Sequence, residues 1–138
     1  MSINSFVFDA PILGHYQTQW QAPSNIALIK YWGKHGQQLP QNPSISFTLS
    51  KCVTNTTVSF SPREDGDKVF DFLFDQKKQV EFHPKIHQFL DQVIPYFPAL
   101  EAHHLSISSQ NSFPHSSGIA SSASAMAALA LCIVDFER

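Results

Sequence analysis

Alternation of apolar and polar residues is the pattern that most restricts the fold of this chain. In VFDFLFD, residues 69–75, Phe70, Phe72 and Phe74 share one face while aspartates occupy the other, which is typical of a half-buried strand. Alternation, or a richness in β-branched and aromatic residues, predicts four further strands, at 4–8, 45–50, 53–61 and 103–110.

A helical period replaces this alternation after His83-Pro84. Apolar residues then recur with the spacing of one helix face, and Pro95 ends the run; they are Ile86, Phe89, Leu90, Val93 and Ile94. From about Ile119 onward the chain is rich in alanine and predicts a second helix. Polar segments at 61–68 and 111–118 predict loops. The order of these elements predicts an α+β domain, with a mixed or antiparallel sheet and helices on one face.

Length and charge restrict the class of protein. The chain has 138 residues, which suits one domain, and a net charge of −2, which leaves no broad basic field for nucleic acid or membrane. The uncharged stretch between His115 and Asp135 is mainly serine and alanine, a weak composition for a membrane span. Cys52 and Cys132 lie far apart, so neither a disulfide framework nor a zinc site is expected. With no signal-peptide pattern at the start, we expect a cytoplasmic protein.

The segment NIALIKYWGK, residues 25–34, concentrates cations and aromatic rings around one glycine. Two lysines, Lys30 and Lys34, bracket Tyr31, Trp32 and Gly33 in a chain with few charges. Lysines can neutralise an anion, and a glycine lets backbone approach it closely. The alternative is a strand end with a packed tryptophan, whose lysines lay their stems on apolar surface.

A second segment, PHSSGIASSASAMAALA at residues 114–130, runs from a serine-rich loop into a helix. Unpaired N–H groups and the positive dipole end at a helix start favour anions, and serine hydroxyls can assist. The alternative is a helix that packs through its alanines without a ligand. Neither a P-loop nor a G-x-G-x-x-G pattern is present, and no G-x-S-x-G supports a hydrolase. Among the histidines, His115 alone lies within this loop.

Together, these segments resemble one family. APSNIALIKYWGK (22–34) and LPQNPSISFTLS (39–50) resemble the N-terminal signature of the diphosphomevalonate decarboxylases. NSFPHSSGIASSASA (111–125) resembles the phosphate loop of the GHMP kinase superfamily. Two residues depart from the family pattern: Pro43, in the first signature, stands where a serine is usual, and Ile119, in this loop, replaces the usual leucine. The resemblance implies a GHMP-kinase N-terminal domain, similar to ribosomal protein S5 domain 2, that spans residues 1–138 and binds ATP and Mg²⁺.

The resemblance also implies roles for individual residues in the conversion of 5-diphosphomevalonate to isopentenyl diphosphate. Lys30 would lie near the reacting groups as the catalytic residue. The substrate would be held by Tyr31, Trp32, Gly33, Lys34 and Lys85. The ATP phosphates would be held by Gly118, Ser121, Ser122, Ala123 and Ser124, and Ser122 would also contact the magnesium ion.

The sequence also predicts that this chain is a fragment of a longer protein. Its last helix reaches Arg138 without a stop signal, and the family's substrate-binding arginine and catalytic aspartate would lie further on. We therefore expect a fragment of a homodimeric enzyme, without the C-terminal domain and inactive by itself. Two alternatives remain: another GHMP kinase, acting on mevalonate or phosphomevalonate, or a non-catalytic anion-binding fragment.

Overall fold

A computed structural model describes residues 13–30, 32–36, 39–64, 66–114 and 118–138. The strands are Tyr16–Ile29 (β1), Lys34–His35 (β2), Leu39–Pro40 (β3), Ile45–Pro62 (β4), Phe70–Phe74 (β5), Lys77–Lys78 (β6) and His103–Asn111 (β7). The helices are His83–Val93 (α1) and Ser121–Phe136 (α2), with 3₁₀ turns at Val80–Phe82, Ile94–Tyr96 and Pro98–Ala102. The strand predicted at 4–8 lies outside the described residues.

The main sheet has five strands in the order β1-β4-β7-β5-β6. β4 pairs with both β1 and β7 in antiparallel fashion, whereas β5 runs parallel to β7. The sheet is therefore mixed, and the predicted α+β class is confirmed. β2 and β3 form a separate two-stranded hairpin between β1 and β4.

The core lies between one face of this sheet and the two helices. Val58 and Phe60 of β4 lie opposite Ile107 and Leu105 of β7 and are buried with them. The helices cover this face with a further set of buried residues: Ile86, Leu90, Leu129, Cys132, Ile133 and Phe136. This confirms the predicted placement of both helices on one face, since alternate side chains of a strand point the same way.

Aromatic rings and a thiol fill the junction of β4 with α2. The rings of Phe60 and Phe136 stack with centroids 3.9 Å apart. Cys132 is fully buried, and this burial raises the pKa of its thiol. Neither helix in the described part of the chain is long and apolar enough to cross a membrane.

The alternation signal missed β1 and divided β4. β1 contains Pro23, which lacks an N–H group and is tolerated because β1 lies at the edge of the sheet. The β1–β4 register also shifts between Pro23 and Ser24, whose partners are Val53 and Leu49. The two strands predicted at 45–50 and 53–61 are therefore one long strand that is interrupted by a bulge.

Both predicted helices are present. α1 starts at His83 with Pro84 in its first turn, and it ends at Val93, just before Pro95. α2 starts at Ser121, two residues later than predicted. It ends at Phe136, so the prediction that helix continues to Arg138 was wrong by two residues.

Candidate functional site

One large cavity joins the two segments that the sequence singled out. It has a volume of about 950 Å³. Lys30 and Lys34 line it from the first segment. From the second segment, it is lined by Gly118, Ala120, Ser122 and Ala123. The two motifs are distant in sequence, and the fold brings them to the same cavity.

Its electrostatic character follows from its lining residues. Lys85, on the first turns of α1, adds a third lysine to Lys30 and Lys34, and no aspartate or glutamate is among the described residues that line the cavity. Three lysines that line the same cavity favour an anionic ligand with several charges.

Backbone contacts hold the lysine-bearing hairpin in shape. The N–H of Trp32 donates to Asn42 Oδ1 at 2.7 Å, and the N–H of Gln41 donates to the Gly33 carbonyl at 2.9 Å. A Cβ atom at Gly33 would lie 2.7 Å from Gln41 Oε1, so a glycine here allows the two chain segments to approach closely. These contacts place Lys34 at the start of the hairpin, where it faces the cavity.

The start of α2 forms the opposite wall. Gly118 has φ +80°, a conformation that favours glycine. Within the described part of the chain, no side chain caps this helix. Ala120 and Ser121 donate their N–H groups to the main-chain carbonyls of Asn25 and Ile119. The N–H groups of Ser122 and Ala123, which line the cavity, are therefore the ones at this helix start that could face a ligand. This is a suitable arrangement for phosphate oxygens.

Some predicted residues lie elsewhere. Trp32 is 93% exposed and does not line the cavity. Ser124 is 2% exposed, and its hydroxyl lies 2.7 Å from Thr54 Oγ1. Ser121 lines a smaller, neighbouring cavity together with Ser122. Tyr31 and His115 lie outside the described residues.

The sequence did not indicate several polar residues that line the large cavity, namely Asn25, Ser44, Ser46 and Gln88. Gln88 lies one helical turn after Lys85, so this spacing could have indicated a shared face. The main-chain carbonyl of Asn25 accepts a hydrogen bond from the Ala120 N–H at 3.3 Å. This contact links β1 directly to the start of α2. Such a contact between distant segments carries no local sequence signal.

The smaller cavity has a volume of about 250 Å³ and mainly apolar walls. It lies between the sheet and the two helices, with Phe72, Phe74 and Phe82 on its wall. Ser109 and Asn111 at the end of β7 add polar groups. Lys85 and Ser122 border both cavities, so a ligand that places charge in the large cavity can extend an apolar ring into the small one.

For a metal ion, the described residues offer little by themselves. They contain no cluster of three or more His, Cys, Asp or Glu side chains that could hold one. The exposed Ser122 hydroxyl is an oxygen donor that fits Mg²⁺, which takes most of its other ligands from phosphates and water.

These observations define a class of protein: an α+β domain with a lysine-lined cavity at a serine-rich helix start. Residues 22–138 match the family described as the diphosphomevalonate decarboxylase-like N-terminal domain. The chain therefore belongs to this family.

Individual relatives agree with this assignment. A diphosphomevalonate decarboxylase of Aspergillus fumigatus is 34% identical over 136 residues, covering 89% of this chain and 34% of the relative. The mevalonate diphosphate decarboxylase of Enterococcus faecalis is a structural neighbour with a TM-score of 0.71 and 36% identity, covering 87% of this chain and 37% of that one. A structure described as MDDEF in complex with MVAPP, AMPPCP and magnesium has a TM-score of 0.69 and 35% identity, covering 87% of this chain and 36% of that one. The chain thus spans about a third of the length of these relatives, and its predicted GHMP-kinase fold is confirmed.

Proposed function

We propose that this chain is the N-terminal, ATP-binding part of a diphosphomevalonate decarboxylase. In the complete enzyme, ATP would phosphorylate the tertiary hydroxyl of 5-diphosphomevalonate, and loss of phosphate and CO₂ would give isopentenyl diphosphate. The observation that carries the proposal is the single cavity that Lys30, Lys34, Gly118 and Ser122 line together. Clustered cations and helix N–H groups provide the charge stabilisation that phosphoryl transfer requires.

The proposed roles of the residues in this cavity are those that the family resemblance implies, and their charge and position are compatible with them. Lys30 neutralises charge at the reacting groups, and Lys34 and Lys85 hold the substrate diphosphate. Gly118, Ser122 and Ala123 hold ATP phosphates, and the Ser122 hydroxyl contributes to magnesium binding. The adenine ring enters the small cavity, past Ser121 and against the phenylalanine side chains.

Other roles are proposed from the family resemblance alone. Tyr31, Trp32 and Gly33 would contact the substrate in the complete enzyme. The complete enzyme would be a homodimer, and each subunit would bind its own substrate molecule. Ser124 has fewer groups with which to contact ATP, because its hydroxyl and its N–H are both hydrogen-bonded inside the protein. We also propose a cytoplasmic location, which the two free cysteines support.

The catalytic role of this chain is incomplete without further residues. No carboxylate is among the described residues lining the large cavity, so this part of the protein offers no base there. This observation also favours one of the two alternatives from the sequence, namely that the 138-residue chain is an anion-binding fragment that is not catalytic by itself. It also separates ligand binding, which the 138-residue chain should show, from CO₂ release, which it should not.

Calorimetry with MgATP and with 5-diphosphomevalonate tests the proposal. We expect both ligands to bind the folded chain, and Lys30→Met to weaken binding of 5-diphosphomevalonate about tenfold, or roughly 1.4 kcal/mol. Lys78→Met is the matched control, because Lys78 is exposed on β6 and does not line the cavity.

Three results would contradict parts of the proposal. Absence of heat with both ligands on folded protein would exclude the anion site. ADP formation without CO₂ would favour another GHMP kinase. Release of CO₂ by this chain would show that it needs no further residues.

A further inference from the structure

A buried chain of hydroxyl groups connects β4, an inner strand of the sheet, with the start of α2. Thr54 is fully buried in β4, and its Oγ1 lies 2.7 Å from Ser124 Oγ and 2.8 Å from Asn111 Oδ1. The Ser124 hydroxyl in turn donates to the Ser121 carbonyl at 3.0 Å. Thr54 therefore contacts the last residue of β7 and the first turn of α2 at once.

These contacts enclose the loop that carries the proposed phosphate site. Asn111 precedes the loop, and Ser121 and Ser124 follow it. The preceding end has a second anchor: Ser112 Oγ accepts from the Val53 N–H and donates to the Lys51 carbonyl, both at 2.9 Å. Val53 and Thr54, which are consecutive residues next to the β4 bulge, thus hold the two ends of the same loop.

A count of hydrogens constrains the network further. The hydroxyls of Thr54 and Ser124 supply two hydrogens for three contacts. The third hydrogen is available if the amide of Asn111 turns by half a turn and directs its Nδ2–H towards Thr54 Oγ1. The hydrogen bonds then run in one direction, from Asn111 through Thr54 and Ser124 to the Ser121 carbonyl.

We propose that Thr54 is a positioning residue for the phosphate-binding turn. It does not line the large cavity and acts through Ser124, whose hydroxyl it holds against β4. The proposal rests on the proposed function, because it takes the start of α2 to be the phosphate site. It extends that function by assigning Ser124 to the support of the site rather than to the ligand.

Three variants test the proposal. Thr54→Val keeps the shape and removes the hydroxyl, whereas Thr54→Ser keeps the hydroxyl. Thr18→Val is the matched control, because Thr18 is a buried threonine of β1 that donates to the Cys132 carbonyl, in the C-terminal half of α2. Each variant is examined by calorimetry with MgATP, by urea unfolding, and by NMR hydrogen exchange of the α2 amides.

We expect Thr54→Val to weaken MgATP binding about tenfold and to speed amide exchange at Ser124 and Ala125, the first α2 amides with an acceptor one turn earlier. Thr54→Ser should restore both to within about twofold of the wild type. Thr18→Val should lower the urea midpoint without changing either result at the α2 start. Binding and first-turn exchange in Thr54→Val that equal those of Thr18→Val would overturn the proposal.

The test separates this proposal from the proposed function. If the wild type does not bind MgATP, the proposed function fails, while amide exchange in Thr54→Val still decides whether the network holds the turn. If Thr54→Val does not fold, Ser124→Ala removes the same hydrogen bond from the helix side. Unchanged first-turn exchange in a folded Ser124→Ala variant would then exclude the network.

Discussion

Glu137 shows what a single residue adds to the energetics of this chain. It follows the last turn of α2, and both of its carboxylate oxygens are buried without a hydrogen-bond partner among the described residues. Burial raises the pKa of this carboxyl group. The folded state therefore binds the Glu137 proton more tightly than the unfolded state does.

We predict that this group lowers stability as pH rises. Its contribution is most favourable below the ordinary pKa of glutamate and is lost as pH rises through the raised value in the folded state. Glu137→Gln removes the titration, so it should stabilise the chain at neutral pH and have less effect in acid. Urea unfolding of the wild type and of Glu137→Gln, at neutral pH and in acid, measures the difference in their free energies of unfolding. The same difference at both pH values would contradict the prediction.

At the scale of elements, the hairpin that joins β5 to β6 combines a tight turn with an unfavourable residue. Asp75 and Gln76 connect the strands with φ values of 47° and 62°, so both residues adopt the left-handed conformation. Two-residue hairpin turns of this type favour Asn-Gly or Asp-Gly sequences. Gln76 has a side chain where glycine would be unstrained.

We predict that Gln76→Gly stabilises the protein by about 1 kcal/mol, because it relieves the left-handed strain. Gln76→Ala is the control, since alanine keeps a Cβ atom and should give no comparable gain. The measurement is the urea midpoint with the unfolding slope unchanged. A decrease in the midpoint for Gln76→Gly would show that the unfolded chain's added freedom outweighs the relieved strain.

The elements also show what sequence reasoning could and could not predict. Local periodicity correctly predicted β5, β7 and α1, because their burial follows a simple period along the chain. Alanine content correctly predicted α2. β1 was missed because Pro23 is acceptable only at an edge position, which is a property of the whole sheet. The strand β4 was divided because its bulge depends on a register with β1 that sequence does not reveal.

The same distinction applies to the candidate site. Lys30, Lys34 and Ser122 were indicated by motifs, since charge clusters and serine-rich helix starts are local patterns. Gln88 and Asn25 were missed because only tertiary structure brings them to the cavity. Ser124 belongs to the motif, but its burial against Thr54 depends on a strand 70 residues away.

At the scale of the whole molecule, the described surface includes an exposed apolar arm. We define this arm as residues 24–29 of β1 together with residues 45–49 of β4. Ile26 lies opposite Phe47 in the register of this pair. Its large exposed side chains include Leu28 at 67% and Phe47 at 55% exposure. Long, exposed and apolar edge strands favour association with other chains.

We predict that this chain self-associates through the arm at micromolar concentrations. Sedimentation velocity should show mass that rises with concentration. The double variant Leu28→Lys with Phe47→Lys should remain monomeric, because its charges resist burial. Val80→Lys is the control, since Val80 is exposed outside the arm. A wild type that is monomeric throughout this range would exclude association through the arm.

The strand order of the sheet also fixes a sequence of events during synthesis. β1 and β4 can pair once residue 62 has been made. β5 joins the rest of the sheet through β7, so its pairing must wait until residue 111 has been made. Contacts between distant residues slow folding, because the closure of long loops precedes the gain from the contacts. The wall formed by α2 comes last, so the growing chain carries the lysines of the cavity well before it carries the helix start that faces them.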